Sequence, residues 1–445
     1  MKTHRHTKLA AAACAALAAG LLPLPAAAAF NTLDGSAPLV IAHRGASGYL
    51  PEHTLEGYRK AIEQGANFIE PDLVMTRDGH LIARHEPMLS GTTDVAAKFG
   101  TSRLSTRLVD GVPTTDYFAS DFTLAEIKTL RAIQPSAGRP QQFNGLYEIP
   151  TLDEIIGLAK SHSLATGRTV GIYPEIKHST FHDQQFGKRV FEDKLVTQLH
   201  NAYGNSANAP VFIQSFEVNN LQYLNTRTDI KLVQLIDAND VNPDGSLDLS
   251  APYGQPYDVA ASNGTLTFAD MVSRVGLAFV KTYADGIGPW KPYLVKTVDD
   301  GVDRNGDGKI TINDRRVDGS TGVIEAAHAA GLLVHAFTFR NDASGYGFTD
   351  PKAEMAYYMS LGVDGVFTDF PDTGVAAVAS VPEPGSYAVM LLGLAGIARY
   401  VRRRRADLTA EQLGLERRFS GGGGAASTRR APAGLGSVQR PGRLR

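Results

Sequence analysis

Short apolar runs alternate with longer helix-like stretches along residues 30–378 of the chain. Strands of four to six residues separated by helices form parallel βαβ units, so eight such runs predict a (β/α)8 TIM barrel. A doubly wound open sheet is the competing α/β architecture, because periodicity alone does not separate the two. Two polar segments, 87–149 and 239–275, are too long for ordinary loops and are expected as insertions at the catalytic face. The eight runs are Leu39–Ala42, Phe68–Leu73, Val170–Tyr173, Val211–Gln214, Leu232–Ile236, Ala284–Ile287, Leu332–Phe337 and Val363–Phe367.

Turn and capping residues lie where this barrel needs them. The pair Asp78-Gly79 precedes a further apolar run, Leu81–His85, and predicts a hairpin that folds back on the second strand. Thr54 predicts the start of one helix, and Thr151 begins the capping-box pattern of another. These local patterns agree with the order of elements that a barrel requires.

The first 29 residues differ from this body. They combine three basic residues, the apolar run Leu9–Leu24 and the small residues Ala26–Ala29, an order that predicts a secretory signal peptide rather than a buried helix. The single cysteine, Cys14, lies inside this segment. The mature chain therefore has no thiol for a disulfide or for catalysis.

The formal net charge of -2 conceals a strong asymmetry. Of the 44 Lys and Arg residues, 3 lie in 1–29 and 12 in 399–445, so residues 30–398 have 29 basic residues. The same residues include 43 of the 46 acidic side chains. A body with this excess of negative charge repels nucleic acid, and we expect no nucleic-acid partner.

The C-terminal region has the features of a sorting signal. The tripeptide Pro-Glu-Pro at 382–384 precedes an apolar run at 387–398, which is short for a membrane span, and a cluster of arginines follows. Residues 381–405 thus resemble the PEP-CTERM signal that bacterial exosortases recognise and process. The resemblance implies export to the periplasm, the outer surface or the medium, with transient membrane attachment. Residues 406–445 are either a disordered basic tail or an extension of the gene model.

His43 and Arg44 follow the first predicted strand, at the barrel end where catalytic groups gather. An imidazole can transfer a proton near neutral pH, and a guanidinium can bind phosphate through two parallel hydrogen bonds. A histidine taken singly is more often structural. The adjacent arginine favours a phosphodiester site.

Glu70 and Asp72 are two residues apart on the second strand and therefore point to the same side. Two carboxylates inside a barrel repel each other unless a cation compensates, and oxygen ligands favour Mg²⁺ or Ca²⁺. Glu175, at the end of the third strand, is the expected third ligand. Lys177 faces the same way and can bind phosphate, although a surface Glu–Lys pair has the same spacing.

His85, at the end of the hairpin run, supplies a second imidazole near this metal. Two histidines on opposite sides of a phosphorus atom can act as general base and general acid. A glycerol substrate brings its own nucleophile, because its free 2-hydroxyl can attack phosphorus, displace the alcohol and leave a cyclic phosphate that water opens. This route needs no covalent enzyme intermediate.

Nine ordered blocks between about residues 38 and 375 resemble those of the glycerophosphodiester phosphodiesterases, and the second half is most similar to the periplasmic bacterial type. The resemblance implies a TIM barrel and a metal-dependent hydrolysis that releases glycerol 3-phosphate and an alcohol. The blocks are His43-Arg44-Gly45, Pro51-Glu52-His53-Thr54, Glu70-Pro71-Asp72-Leu73, Thr76-Arg77-Asp78-Gly79, His85-Glu86, Gly171-Ile172-Tyr173-Pro174-Glu175-Ile176-Lys177, Gln214-Ser215-Phe216, Ala284-Asp285-Gly286-Ile287-Gly288-Pro289 and Phe367-Thr368-Asp369-Phe370-Pro371-Asp372.

The matching positions carry the functional roles of that family. This sequence departs from the usual pattern of the family at His53, where Asn is common, and at Glu86, where Asp is common. Both positions adjoin the expected site, so the groups that support it are expected to differ. The resemblance gives acid–base roles to His43 and His85, metal ligation to Glu70, Asp72 and Glu175, phosphate contacts to Arg44 and Lys177, and an orienting role to Glu52.

Residues 303–314 have the spacing of a calcium loop. Acidic or amide side chains occupy positions 1, 3 and 5, glycine position 6 and aspartate position 12, as in EF-hand and dockerin-type loops. The flanking helices of an EF-hand are not evident, so we expect a structural calcium clamp on an insertion, separate from the catalytic ion. A plain acidic turn is the alternative. The expected ligands are Asp303, Asn305, Asp307, Lys309 through its carbonyl, and Asp314.

Two other functions are compatible with this sequence. A phospholipase C-like or D-like enzyme of the same fold would act on intact lipids or lysolipids, and a noncatalytic surface module would keep only the scaffold. The joint presence of both histidines, the three carboxylates and Lys177 argues against the module, because a scaffold needs none of them. Expected partners are glycerophosphodiester substrates and an exosortase-type processing enzyme.

Overall fold

The computed structural model describes residues 30–304 and 306–381, together with four later single positions. The signal peptide predicted at 1–29, nearly all of the sorting segment at 381–405 and the tail at 406–445 lie outside these residues. Within the described part of the chain, no helix is both long enough and apolar enough to cross a membrane. The four single positions are Ile397, Arg399, Val401 and Arg402, and all are helical.

The strands form one large sheet and three separate two-stranded sheets. In chain order the strands are β1 Leu39–His43, β2 Phe68–Glu70, β3 Asp72–Met75, β4 Leu81–Ala83, β5 Ser105–Val109, β6 Val112–Asp116, β7 Gly171–Ile172, β8 Glu175–Ile176, β9 Phe212–Ser215, β10 Lys231–Ile236, β11 Asp240–Val241, β12 Leu247–Asp248, β13 Gly286–Pro289, β14 Val295–Val298, β15 Arg316–Ser320, β16 Leu333–Phe339 and β17 Gly365–Thr368. The α-helices are α1 Leu55–Glu63, α2 Val95–Phe99, α3 Leu124–Ile127, α4 Leu152–Thr166, α5 Ser179–Phe186, α6 Val190–Tyr203, α7 Val218–Asn225, α8 Tyr257–Ala261, α9 Phe268–Met271, α10 Arg274–Val280, α11 Val323–Ala329, α12 Pro351–Leu361 and α13 Pro371–Val378.

Two barrel strands are each divided by a proline. Pro71 separates β2 from β3, and Pro174 lies between β7 and β8, since proline has no N–H for the ladder. β2 pairs with β7 and β3 pairs with β8, all in parallel, so the two halves of each strand continue one another. With β17 paired to β1 and β1 to β2, eight parallel strands close into a barrel. The predicted (β/α)8 fold is confirmed, and the open doubly wound sheet is excluded.

The predicted turns and caps are present. β3 and β4 form an antiparallel hairpin in which Leu73 pairs with Ala83. Thr54 accepts a hydrogen bond from the backbone N–H of Gly57 and so caps α1. Thr151 begins a reciprocal capping box at the start of α4. Local side-chain chemistry therefore places each of these elements as the sequence indicated.

An aromatic layer fills the inside of the barrel below its mouth. Tyr173 stacks on Phe212 with ring centroids 4.9 Å apart, and it meets the edge of Phe367 at 5.0 Å. Its hydroxyl lies 2.7 Å from Nδ1 of His335, which is fully buried. Packing of this kind excludes water from the barrel interior, so the polar groups directly above it stand on an apolar floor.

Both long insertions lie over the mouth of the barrel, as predicted. The first builds a small core of its own against β3 and β4 and contains the hairpin of β5 and β6. Gly111, in the turn of that hairpin, has a φ of 80°, and a Cβ there would lie 3.6 Å from the ring of Tyr257 in the second insertion. The two segments therefore meet above the strand ends.

Candidate active site

Three carboxylates converge where the second and third barrel strands open to the mouth. Glu70 ends β2, Asp72 begins β3 and Glu175 begins β8, with Asp72 and Glu175 in register across the sheet. One oxygen of each side chain lies within 4.8 Å of the other two. All three residues are buried, at 1%, 1% and 6% exposure. The gathering of these residues follows from the predicted strand positions.

Burial and mutual repulsion oppose ionisation of this cluster. Burial raises the pKa of Glu70 well above its ordinary value, and the charges of Asp72 and Glu175 add to the effect. Burial also raises the pKa of Glu175 to about 8, although Lys177 opposes the change. Asp72 keeps a low pKa despite its burial, because Lys177 and His53 stabilise its charge. Full ionisation of the three groups requires more positive charge than the protein itself provides.

The cluster fits a hard divalent cation. Asp72 Oδ1 is buried and has no hydrogen-bond donor, and the oxygens of Glu70 and Glu175 are only partly compensated. Ca²⁺ and Mg²⁺ prefer carboxylate oxygens of this kind. Among the residues that the structure describes, no other group of His, Cys, Asp or Glu side chains converges to this degree. The aspartates of the 303–314 loop do not converge in this way.

Arg44 lies directly beside the cluster and is paired with Glu52. The backbone N–H of Arg44 donates to Glu70 Oε2 at 2.7 Å, and its Nε lies 3.2 Å from Asp72 Oδ2. Its Nη1 donates to Glu52 Oε2 at 3.1 Å. Burial disfavours the guanidinium charge, but the carboxylates of Glu52, Asp72 and Glu70 outweigh it and raise the pKa of Arg44. Glu52 therefore holds the Arg44 guanidinium beside the cluster.

His53 contacts a proposed metal ligand directly. Its Nε2 lies 2.9 Å from Asp72 Oδ2, and its Nδ1 lies 2.8 Å from the Tyr58 hydroxyl. The segment is held in place by the buried guanidinium of Arg84, which donates to the carbonyls of Glu52 and His53. The departure from the usual asparagine thus places an imidazole where it fixes the orientation of Asp72.

His43 is held by a residue to which the sequence alone assigned no role. Its Nδ1 lies 2.6 Å from Oδ1 of Asp369, which follows β17, and Asp369 in turn accepts from Arg139 and Arg340. A carboxylate only accepts hydrogen bonds, so Nδ1 carries the proton and Nε2 keeps its lone pair. Burial lowers the pKa of His43 to about 4, with Arg44 adding to the shift and Asp369 opposing it.

His85 belongs to a chain of hydrogen bonds that reaches the first insertion. Its Nδ1 lies 2.9 Å from Glu86 Oε1, the other oxygen of Glu86 lies 3.0 Å from His178 Nε2, and His178 Nδ1 lies 2.9 Å from Asp110. On its other side, His85 Nε2 is 3.3 Å from Lys177 Nζ. His178 and Asp110 were not predicted, although His178 directly follows the Glu-Ile-Lys block.

The two carboxylates around His178 keep it charged. Burial acts to lower its pKa, but hydrogen bonds to Asp110 and Glu86 raise the pKa of His178 to about 10. Burial, together with the charges of Arg44 and Lys177, lowers the pKa of His85 to about 4. His85 is therefore neutral at pH 7, with its Nδ1 proton directed to Glu86.

One cavity of about 590 Å³ collects these groups. Its lining includes both predicted acid–base histidines, both predicted phosphate contacts, and Glu70 and Glu175 of the carboxylate cluster. Side chains from both insertions, including Asp110 and Tyr257, line it as well. The arrangement combines fixed positive charge, a potential cation site and two neutral imidazoles with lone pairs on Nε2, which are the groups that phosphoryl transfer requires.

Comparison with known protein families agrees with this geometry. The family model described as the glycerophosphoryl diester phosphodiesterase family matches residues 43–373. The model of the PEP-CTERM protein-sorting motif matches residues 380–405. The first match contains every residue of the proposed site, and the second contains the predicted sorting signal.

Similar proteins occur in plants and bacteria. The glycerophosphodiester phosphodiesterase GDPD6 of Arabidopsis thaliana is 38% identical over 76% of this chain and 85% of its own. A glycerophosphodiester phosphodiesterase of Haemophilus influenzae is 34% identical over 78% of this chain and 91% of its own. A crystal structure from Silicibacter pomeroyi, assigned to the same activity, shares 19% identity with a TM-score of 0.50, covering 79% and 97% of the two chains. At that identity, the structural match shows the fold alone.

Replacement of Glu86 by glutamine tests the hydrogen-bond chain behind His85. The amide keeps the size of the side chain but no longer stabilises a charged imidazole, so the pKa of His85 falls further. We expect a loss of about tenfold or more in kcat/KM for a glycerophosphodiester, and the limb of the pH–rate profile that reports His85 moves to lower pH. Steady-state kinetics from about pH 3 to about pH 9 measure both.

The matched control for this variant is Glu148→Gln. Glu148 is exposed, with 56% of its side chain accessible, and lies in the same insertion as Asp110. We expect its substitution to leave the profile in place. If Glu86→Gln kept both the rate and the pH profile of the unmodified enzyme, Glu86 would have no positioning role.

Proposed function

The chain belongs to the glycerophosphoryl diester phosphodiesterase family, and we propose that it hydrolyses glycerophosphodiesters to sn-glycerol 3-phosphate and an alcohol at the barrel mouth. The strongest support is the convergence of Glu70, Asp72 and Glu175 in a cavity that is also lined by His43 and His85. A noncatalytic scaffold gives no reason for three buried like charges to remain together, since each destabilises the other two.

We propose that Glu70, Asp72 and Glu175 hold one Ca²⁺ or Mg²⁺ ion. When bound, this ion supplies positive charge that offsets the carboxylates and attracts the phosphate oxygens. Lys177 has three N–H donors and directs its ammonium group at Glu175 and His85, which leaves capacity for a phosphate oxygen. Arg44 adds a second fixed positive charge on the cluster's other side, next to Asp72.

The two histidines transfer the protons of the reaction. One imidazole accepts the proton of the glycerol 2-hydroxyl at Nε2 as the hydroxyl oxygen bonds to phosphorus. The other takes up a second proton when the phosphate anion binds nearby, and it gives that proton to the departing alcohol oxygen as its bond to phosphorus breaks, which leaves a cyclic phosphate. Water then opens the ring with the roles reversed. Asp369 and Glu86 prepare both histidines for this task, because they keep the Nδ1 protons in place.

The covered mouth favours small, water-soluble diesters as substrates. Gly111 and Tyr257 bring the two insertions into contact above the cavity, where a phospholipase would have to admit an acyl chain. A phospholipase C-like or D-like reaction on lipids or lysolipids is the alternative that the same catalytic groups would allow. A substrate panel that includes a lysolipid separates the two functions.

Substitution of His43 or His85 by alanine tests the proposed function. Each change removes a proton carrier, so we expect release of glycerol 3-phosphate from glycerophosphoethanolamine to fall at least about 100-fold while the circular dichroism spectrum is unchanged. The release is measured with a coupled dehydrogenase assay.

Chelation should abolish the activity of the unmodified enzyme, and Ca²⁺ or Mg²⁺ should restore it.

His80→Ala is the matched control, because His80 is exposed in the turn between β3 and β4. Its substitution should leave the rate unchanged. Normal rates in both catalytic variants, or full activity in metal-free protein, would contradict the mechanism. Cleavage of lysolipid without cleavage of any glycerophosphodiester would favour the alternative.

We further propose that residues 303–314 bind a structural calcium ion. The loop joins the antiparallel strands β14 and β15, so it lies on an insertion and not between two helices. Asp303 accepts hydrogen bonds from the backbone N–H groups of Gly306 and Gly308, which curls the loop around its carboxylate. Asp314 is buried at the end of the loop. Asn305 is outside the described residues.

Isothermal titration with Ca²⁺ counts the ions. The unmodified protein should bind two, one at each proposed site, whereas a variant with Asp303→Asn and Asp307→Asn should bind one. A variant with Asp299→Asn and Asp318→Asn, which changes exposed acidic residues of the same hairpin, should still bind two. Two ions in the first variant would show that the loop is only an acidic turn.

We also propose that the protein is exported and processed at both ends. The PEP-CTERM match supports handling by an exosortase, and the predicted signal peptide supports export to the periplasm, the outer surface or the medium. Mass spectrometry of the protein from its native cell should find a chain that begins near residue 30 and ends near residue 383. Peptides from 406–445 in the mature protein would contradict the processing.

A further inference from the structure

Three aromatic side chains line the cavity on the strands beyond the phosphate contacts. Phe216 follows β9, Trp290 follows β13, and Phe337 lies in β16. Trp290 and Phe337 form a parallel bridge, and the rings of Phe216 and Phe337 lie 5.9 Å apart. Lys177 Nζ is 5.5 Å from the Phe216 ring centroid. This aromatic wall therefore begins directly beside a proposed phosphate contact.

The half-buried carboxylate of Asp237 lies beside this wall. Asp237 follows β10, and the register of β10 with β13 pairs Ile236 with Pro289, which places Asp237 next to Trp290. Its side chain accepts a hydrogen bond from the N–H of Ala238 at 2.9 Å. Lys177 is near enough to favour the charge of Asp237, but its ammonium group is paired with Glu175 at 2.9 Å. Burial raises the pKa of Asp237 to about 6, so it is mostly ionised at pH 7.

The second insertion adds to the aromatic and acidic character of the same region. Tyr257 lines the cavity near Asp110 and Glu217, whose charges contribute to raising its pKa. Glu217 is held by the backbone N–H and hydroxyl of Thr180. Burial and the nearby Asp258 raise the pKa of Glu217 to about 8, so Glu217 carries less negative charge at pH 7 than Asp237.

We propose that this region is a subsite for a cationic alcohol group of the diester, and that a quaternary ammonium fits it best. Aromatic faces attract a methylated ammonium through cation–π interaction, and the adjacent Asp237 adds charge attraction. Such a cation has no N–H groups that would need partners on an apolar wall. A neutral polyol would instead lose hydrogen bonds with water there. This inference rests on the proposed function and specifies its substrate.

Two substrates of equal shape separate the effect of charge on kcat/KM from the effect of size. The first is glycerophosphocholine, and the second is the glycerophosphodiester of 3,3-dimethylbutanol, in which carbon replaces the ammonium nitrogen. We expect kcat/KM for the choline diester to exceed that for its neutral counterpart about tenfold. Equal values for the two substrates in the unmodified enzyme would overturn the proposal, and this comparison needs no variant.

Asp237→Asn tests the residue that supplies the charge. We expect the ratio of the two kcat/KM values to fall at least about fivefold, because the amide no longer attracts the cation. Asp229→Asn is the matched control: it removes the same charge from an exposed residue at the opposite end of β10 and should keep the ratio. An unchanged ratio in Asp237→Asn, with a normal circular dichroism spectrum, would also overturn the proposal.

The outcomes distinguish this inference from the function on which it rests. Hydrolysis of both diesters at equal rates would contradict the cationic subsite but would agree with the phosphodiesterase function. If neither diester were hydrolysed in the presence of Ca²⁺ or Mg²⁺, both the subsite and the phosphodiesterase function would be contradicted. Preferential hydrolysis of the choline diester, lost in Asp237→Asn, is the result that supports the subsite.

Discussion

Repulsion among three buried carboxylates is the constraint on which the rest of the barrel mouth depends. Glu70, Asp72 and Glu175 stand within a few ångströms of one another, at most 4.8 Å between the converging oxygens, above an apolar floor. In such surroundings like charges are poorly screened. The neighbouring cations Arg44 and Lys177 offset only part of this repulsion, and the proposed divalent ion would offset the rest.

The parts of this site that follow from local sequence were predictable, and the parts that depend on pairing between distant elements were not. The period of two along a strand places Glu70 and Asp72 on one side, and the strand ends bring Glu175 to them. Asp369 reaches His43 from 326 residues further along the chain. No periodicity encodes such a pair, because it arises only when the last strand closes the barrel.

The fold shows the same division between features that the local sequence predicts and features that it does not. The alternation of apolar runs and helices predicted the eight strands, and the turn at Asp78-Gly79 predicted the hairpin of β3 and β4. The interruptions at Pro71 and Pro174 were not predicted, although a proline in a central strand indicates a break in the ladder. The link from Asp110 through His178 to Glu86 was also missed, because it joins an insertion to the barrel through side chains alone.

The two prolines have a thermodynamic consequence for the cluster they adjoin. Each stands immediately before a carboxylate residue, Pro71 before Asp72 and Pro174 before Glu175. A proline ring restricts its own backbone rotation and that of the residue ahead of it. The conformational entropy of these two segments is therefore already low in the unfolded chain, so ordering them beside the carboxylates costs less free energy on folding.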